Sequence, residues 1–249
     1  MNETELLEIV CYIGKKLTRY GAEVYRVEES VSRICAAYGY TSAEVYAIPS
    51  NIVVTVYKKD RSPLTQSVRI NTRLTNLDRV GEYNRLCRRI CREKPDFAKI
   101  KKEISKIENR PVYGTGMQFA SFLLVGFSFV FFFGGDLKSA LLGAAAAGII
   151  FFLTYIMTKA DLSAFLINVT CSAAAALFAI GMYKLKLIDS YDTVVISALM
   201  TMVPGVSITN GMRDFISGDL MAGIYTIAEA FTAAVAMAVG AGSVIALFR

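Results

Sequence analysis

The N-terminal part of the chain alternates short apolar and polar stretches in patterns typical of helices and strands. Apolar residues recur at helical spacing over residues 3–20, over a second stretch that stops before Gly39, and over residues 77–90. This period predicts three amphipathic helices, each with one face in a protein core. A fourth amphipathic helix is predicted from Pro95 to Pro111, because proline suits the start of a helix and cannot continue one.

Between the second and third predicted helices, the pattern favours strands. Glu44–Ile48 and Ile52–Tyr57 are rich in β-branched and aromatic residues, and a short Pro-Ser-Asn segment separates them. A turn is predicted at Lys58–Pro63, and Gln66–Ile70 is predicted to return as a third strand. The first part of the chain is therefore expected to form a small α/β module.

Charge divides the chain near residue 110. Residues 1–110 hold 21 of the 27 Lys and Arg residues and 14 of the 21 Asp and Glu residues, which leaves them a net charge of +7. The remaining residues carry a net charge of −1 and are mostly apolar. We therefore predict a basic, water-facing domain at residues 1–110 and a membrane domain at residues 111–249.

The start of the chain shows no secretory signal pattern. Met1–Glu5 is acidic, and neither a basic region nor an apolar core follows it. Lys and Arg residues crowd residues 99–110, just before the first long apolar segment, and cytoplasmic flanks of membrane spans carry such an excess. We therefore expect a multi-pass protein of the cell inner (cytoplasmic) membrane, with the N-terminal module in the cytoplasm.

The membrane domain is predicted to be an α-helical bundle of five transmembrane helices. Each apolar segment is close to the ~20 residues that cross the hydrocarbon of a bilayer. The predicted spans cover residues 114–133, 137–157, 162–182, 190–210 and 220–248. Many secondary transporters consist of two repeats around a midplane site, so five spans resemble one half of such a device. A second copy or a different subunit would then complete it.

The most unusual polar residues follow a helix break at Pro204 and Gly205. Proline cannot donate to the preceding turn, so the break frees backbone carbonyls on one side and amides on the other. Amides at a helix N-terminus suit a carboxylate, and Arg213 could bind the same group in a fork geometry. The predicted substrate-binding residues are Pro204, Gly205, Ser207, Asn210, Arg213 and Asp214.

Two further acids are predicted to take part in proton coupling. Gly218 would end the second helical piece, and Asp219 would cap the last span. Glu229 lies about ten residues into that span, near the middle of the bilayer, where a charged group is costly unless it is used. The competing interpretation is a packing kink at Pro204 with an interfacial anchor at Arg213 and Asp214.

Other polar patterns have plainer explanations. Pairs such as Glu23/Arg26 and Glu29/Arg33 stand at helical-neighbour spacing, which is typical of a solvated, salt-bridged face. Basic residues beside a membrane favour anionic lipid headgroups over nucleic acid, and no nucleic-acid motif accompanies them. The lipid membrane is thus an expected partner, and nucleic acid is not.

No metal ion or cofactor is expected. The sequence contains no histidine and five cysteines, which we interpret as free thiols. Cys87 and Cys91 share a helix face and could form half of a metal site, but without other ligands nearby a place in the core is the better interpretation.

Two other function classes remain as alternatives. Tyr191-Asp192 and Gly218-Asp219 resemble motifs of intramembrane aspartyl proteases, but Ile216 stands where that motif has glycine, and Asp192 lies at the edge of a span. We therefore predict that the chain is not an enzyme. The second alternative is a membrane-anchored sensor or scaffold whose N-terminal module binds a ligand or partner.

Several segments together resemble the threonine/serine exporter family. They are Val203-Pro-Gly205, Thr209-Asn-Gly-Met-Arg-Asp-Phe-Ile-Ser-Gly-Asp219, Glu229-Ala230, Gly21-Ala-Glu-Val-Tyr-Arg-Val-Glu-Glu29, Ile48-Pro49, Val54-Thr55, Asn76-Leu-Asp-Arg-Val80 and Asn84-Arg-Leu-Cys-Arg-Arg89. The resemblance implies export of threonine and serine, driven by the proton motive force. The chain is similar to the larger subunit of the split form, whose partner is a small membrane protein; one split pair is described as a succinate exporter. The expected partners are thus that small protein or further copies of this chain, together with a small carboxylate substrate.

Overall fold

The computed structural model divides the chain into two compact units. It describes residues 2–40, 42–57 and 62–248. The first unit comprises Met1–Pro111 and Gly205–Ala228, and the second comprises Val112–Pro204 and Glu229–Arg249. The predicted membrane domain began at residue 111 and included residues 205–228. In the structure, Gly205–Ala228 instead pack with the N-terminal part of the chain.

Five helices and a sheet form the first unit, together with the start of the last helix. The helices are α1 (Glu3–Arg19), α2 (Val24–Ala37), α3 (Leu77–Glu93), α4 (Phe97–Glu108) and α9 (Gly205–Ile216). Local signals fix several of their ends. Asn2 and Glu5 form a reciprocal capping box at the start of α1, and the Asp96 side chain caps α4. The four helices α1–α4 match the four predicted amphipathic helices in type and position.

The sheet is antiparallel and follows chain order, β1 (Glu44–Ile48), β2 (Asn51–Tyr57) and β3 (Pro63–Arg69). Alternate residues of the central strand, from Ile52 to Val56, are buried, as expected for a strand with one face on a core. The third strand starts three residues earlier than predicted, because Pro63 pairs with Tyr57. Of the turn predicted at Lys58–Pro63, residues 58–61 lie outside the described residues, and Pro63 belongs to β3.

The core of the first unit is built from the apolar faces of α1–α4 and the sheet. Ala222, at the start of the last helix, belongs to the same core and is 2% exposed. A partly buried polar network ties α4 to α1 and α3. The Glu108 carboxylate accepts hydrogen bonds from Lys16 Nζ and from Tyr83 Oη, the latter at 2.5 Å. Buried polar groups are tolerated where they are paired in this way.

Apolar helices make up the second unit. They are α5 (Thr115–Phe132), α6 (Leu137–Lys159), α7 (Ala164–Lys184) and α8 (Asp192–Leu199), with the later part of α10 (Leu220–Phe248). Among the described residues, four helices are long and apolar enough to cross a membrane, namely α5, α6, α7 and α10. They correspond to the first, second, third and fifth predicted spans.

The fourth predicted span, residues 190–210, is not a single helix. α8 ends at Leu199 after eight residues, and α9 begins at Gly205 in the other unit. Eight residues extend only about 12 Å, well short of the hydrocarbon thickness. The break at Pro204 was predicted, but the sequence did not show that the preceding helix stops five residues earlier.

Small residues bring α5 and α6 into close contact. A Cβ placed on Gly126 would lie 2.5 Å from the Gly143 carbonyl oxygen, and one on Gly143 would lie 2.7 Å from the Gly126 oxygen. Since backbone atoms cannot rotate away, each glycine is required for this approach. Close backbone packing is the main source of helix association in lipid, where burial alone gives little drive.

Replacing Gly126 with Ala is therefore expected to destabilise the second unit by about 1–3 kcal/mol, the usual cost of overpacking. Thermal unfolding of the purified protein in detergent would measure this loss. Gly116→Ala on the same helix is the matched control, because no described atom lies within 4 Å of its added methyl group. Equal stability of the two variants would contradict the proposed contact.

Candidate functional site

The N-terminus of α2 lacks a capping side chain of its own. Gly21 turns the chain after α1 with a φ of +90°, a conformation that glycine adopts without strain. Glu23 precedes the first residue of α2, but its side chain makes no capping hydrogen bond. The first amides of a helix have no partner within it, and the helix dipole favours a negative charge beside them. This helix end therefore needs an acceptor from elsewhere.

Asp214 of α9 supplies that acceptor from a distant part of the chain. Its Oδ1 accepts a hydrogen bond from the Val24 amide at 3.1 Å, across a separation of 190 residues. Asp214 is only 2% exposed. α9 ends just beyond it in a Schellman motif, in which the Asp219 amide donates to the Asp214 carbonyl and Gly218 has a φ of +92°.

Two further residues on the same side of α9 bind the same segment. Asn210 Nδ2 donates to the Gly21 carbonyl oxygen at 2.9 Å. Arg213 Nη1 pairs with Glu23 Oε1 at 2.7 Å, and the Glu23 side chain is 8% exposed. The resulting cluster is called the α2–α9 contact and comprises Gly21, Glu23, Val24, Asn210, Arg213 and Asp214.

Neighbouring carboxylates in this contact have opposite pKa shifts. Burial raises the pKa of Asp214 to about 6, opposed by the Val24 amide and assisted by the carboxylates of Asp219 and Glu23. Burial also acts on Glu23, but hydrogen bonds from its own amide and from Arg213 outweigh it and lower the pKa. Such a pair separates roles: Asp214 can gain and lose a proton near pH 6, while Glu23 stays ionised.

A third carboxylate belongs to the same electrostatic environment. Glu28 of α2 accepts a hydrogen bond from the Ala47 amide at 2.6 Å. Burial raises its pKa, and the carboxylates of Asp219 and Asp214 raise it further. Within residues 2–40, 42–57 and 62–248, no group of three or more Cys, Asp or Glu side chains is arranged to hold a metal ion. The acids in this region therefore affect one another chiefly through their charges.

The structure divides the residues predicted from sequence into three places. Asn210, Arg213 and Asp214 lie together in the α2–α9 contact, and Asp219 acts on Asp214 through its charge. The N-terminal end of α9, which carries Pro204, Gly205 and Ser207, lies outside the contact. A Cβ placed on Gly205 would meet no described atom within 4 Å apart from neighbouring backbone, so there is space beside this residue.

Glu229 belongs to the second unit and is the tenth residue of α10. Its side chain is exposed on the surface of this chain, as are its helix neighbours Tyr225 and Thr232. A charged residue within a membrane-spanning helix is retained where it is partnered or used.

Sequence reasoning missed Glu23 and the turn that precedes it. Glu23 does pair with Arg26, at 3.6 Å, as the helical spacing predicted, but it is buried rather than solvated. One signal was available: Glu stands at the N-cap of α2, a position that prefers Ser, Thr, Asp or Asn. With Glu at this position, the first amides of α2 need a hydrogen-bond acceptor from elsewhere in the chain, but the local sequence does not identify that acceptor.

A comparison with protein-family models decides the family. The model ThrE, described as "Putative threonine/serine exporter", matches residues 8–248. The chain belongs to this family. The match covers nearly the whole chain and includes both segments of the α2–α9 contact. Comparisons with curated proteins and with solved structures found no match.

Family membership places the chain among transporters. The four membrane-length helices agree with a membrane protein. Asp214 and Arg213 thus place a buried carboxyl group next to a guanidinium group on one helix of a chain in a transporter family.

Proposed function

We propose that this chain is one subunit of a secondary-active, proton-coupled exporter of small carboxylate-bearing metabolites. The substrates would be threonine and serine, or a dicarboxylate such as succinate. The protein would reside in the inner membrane with its N-terminal module in the cytoplasm. The observation that carries the proposal is the buried Asp214 beside Arg213 on α9, in a chain of the threonine/serine exporter family.

Arg213 is the proposed ligand of the substrate carboxylate. It already binds a carboxylate, that of Glu23, at 2.7 Å. A substrate carboxylate has the same charge and geometry and can therefore replace Glu23 at the guanidinium group. The open end of α9 at Pro204, Gly205 and Ser207 would attract the substrate first, since free helix amides favour anions.

Asp214 is the proposed proton carrier. As a carboxylate it accepts a charge-assisted hydrogen bond from the α2 N-terminus, and protonation would weaken that bond. Protonation would also remove the repulsion between Asp214 and the carboxylates of Asp219 and Glu23. Proton uptake by Asp214 would thus loosen the same contact that must open for Glu23 to leave Arg213. Because the substrate carboxylate takes the place of Glu23, the proton and the substrate would be coupled.

A second membrane chain is proposed to cover the exposed face of α10. Little of the apolar surface of α10 is buried within this chain, and large apolar side chains such as Phe231 and Val239 are exposed on it. A small membrane protein or a further copy of this chain would pack against this face.

Efflux from loaded cells tests the proposal. Cells without their own exporters would be loaded with labelled threonine, serine or succinate, and would express this chain alone or with a candidate small partner. We expect faster efflux of at least one substrate than from empty cells, and its loss when a protonophore collapses the proton gradient. Efflux that never exceeds that of empty cells would instead favour the sensor or scaffold role, and insensitivity to the protonophore would overturn proton coupling.

A further inference from the structure

A basic groove lies between α2 and α3 in the first unit, apart from the α2–α9 contact. Its cavity has a volume of about 630 Å³, within the range of small-molecule sites. Residues at helical spacing on each helix form its two walls, so one stripe of α2 faces one stripe of α3. The lining residues used below are Arg26, Glu29, Arg33, Arg88, Cys91 and Arg92.

The walls carry an excess of positive charge. Four arginines and one glutamate line the cavity, which leaves a formal charge of +3. Glu29 neutralises only part of it through its ion pair with Arg33 at 2.6 Å. Arg26 pairs with Glu23 at 3.6 Å and Arg92 with Glu93 at 2.7 Å, whereas Arg88 has no ion pair among the described residues. Like charges gathered around one cavity repel each other, and a bound anion would relieve this repulsion.

The groove is suited to binding rather than to chemistry. Its floor holds the thiols of Cys87 and Cys91, and burial raises the pKa of both, that of Cys87 to about 12. Protonated thiols are poor nucleophiles and poor metal ligands. Arginine, in contrast, presents a rigid fork of donors that matches the oxygens of a phosphate group. Several arginines around one cavity match a ligand with more than one negative charge.

We propose that the groove between α2 and α3 binds a small polyanion that carries phosphate groups. Arg33 and Arg88, which carry the proposal, make no contact with the α2–α9 contact, whereas Arg26 pairs with Glu23 of that contact. Arg33 and Arg88, one on each wall, would hold the phosphate oxygens from opposite sides. The alanines of α2 and the buried thiols leave room for a less polar part of the ligand.

Calorimetric titration of the full-length protein with inorganic pyrophosphate tests the site. The protein would be held in nanodiscs of phosphatidylcholine, a lipid without net charge. We expect saturable binding to the wild type, and at least tenfold weaker binding to Arg88→Gln and to Arg33→Gln, since each variant removes a charge-assisted hydrogen bond to the ligand. Both side chains are exposed, so these variants should retain the fold, which thermal unfolding would verify.

Arg85→Gln is the matched control. Arg85 lies on α3 one turn from the groove, is exposed, and pairs with Glu82 instead of lining the cavity. Arg85→Gln removes the same charge as Arg88→Gln. If both variants weakened pyrophosphate binding equally, the binding would reflect a general attraction to positive charge, and the proposal would be overturned. Absence of saturable binding to the wild type would overturn it as well.

Anionic lipid headgroups share this phosphate chemistry, so the titration is repeated in nanodiscs that contain phosphatidylglycerol. An unchanged affinity for pyrophosphate would identify a soluble ligand. Weaker binding in these discs for the wild type, but not for Arg88→Gln, would identify a headgroup in the groove. Both outcomes support the site, and they differ only in the source of the phosphate. Neither depends on efflux, so failure here would leave the proposed transport function untouched.

Discussion

Asp214→Asn is expected to reduce efflux to the level of cells without the transporter, while membrane insertion is retained. The amide oxygen of Asn can still accept from the Val24 amide, so the α2–α9 contact keeps its main hydrogen bond. What the variant loses is the ability to exchange a proton near pH 6. Efflux of labelled substrate, normalised to the amount of protein in the membrane, is the measurement.

Asp78→Asn is the control for Asp214→Asn. It makes the same chemical change on α3, where the carboxylate is exposed and only loosely paired with Arg110 at 3.6 Å. We expect this variant to export at the wild-type rate. Normal efflux from Asp214→Asn would show that Asp214 does not carry the coupled proton.

The pH dependence of stability gives a second reading of the same variant. Because the pKa of Asp214 is raised from 3.8 to about 6, the folded protein disfavours its ionised form. Protonated Asp214 therefore stabilises the fold, and this stabilisation is complete below about pH 4. It is lost as the pH rises to about 6, and the free energy of unfolding falls by about 3 kcal/mol at most. The wild type should therefore lose stability between about pH 4 and 6, whereas Asp214→Asn, which cannot ionise there, should not. The difference in the free energy of unfolding between the two should grow over this interval and then stay constant. A constant difference would exclude the raised pKa.

Glu229→Gln is expected to abolish efflux as well, without loss of membrane insertion. Glutamine keeps the size of the side chain and its hydrogen-bonding oxygen but cannot exchange a proton. Glu229 is the first residue of α10 that belongs to the second unit, and an acid in a membrane-length helix is retained where it is used or partnered. Efflux normalised to membrane-inserted protein measures the effect.

Glu229→Asp separates the two roles of this acid. It retains the carboxyl group on a shorter side chain, so partial efflux is expected if Glu229 carries a proton. If Glu229 served only to bind a second chain, Gln and Asp would disturb that interface to similar degrees, and co-purification with the partner would fall in both. Wild-type efflux from Glu229→Gln would remove Glu229 from the proposed mechanism.

Most elements could be predicted because their signals are local. The period of the apolar residues locates α1–α4, the continuous apolar stretches locate the four membrane-length helices, and Pro204 lies just before the start of a helix. The fourth predicted span failed for the opposite reason. Its apolar composition is that of a membrane helix, but α8 stops at Leu199 and the next helix packs in another core. Composition does not reveal which core an apolar residue joins.

The sequence by itself determined a basic α/β part, an apolar helical part, the helix break at Pro204 and the polar residues that follow the break. Each depends on residue type and spacing over one or two turns. Only the tertiary structure decided what Asn210, Arg213 and Asp214 touch. Their partners, Gly21 to Val24, lie about 190 residues earlier, and no local pattern records that distance. The uncapped end of α2 required an acceptor, and folding selected the carboxylate of Asp214 to satisfy it.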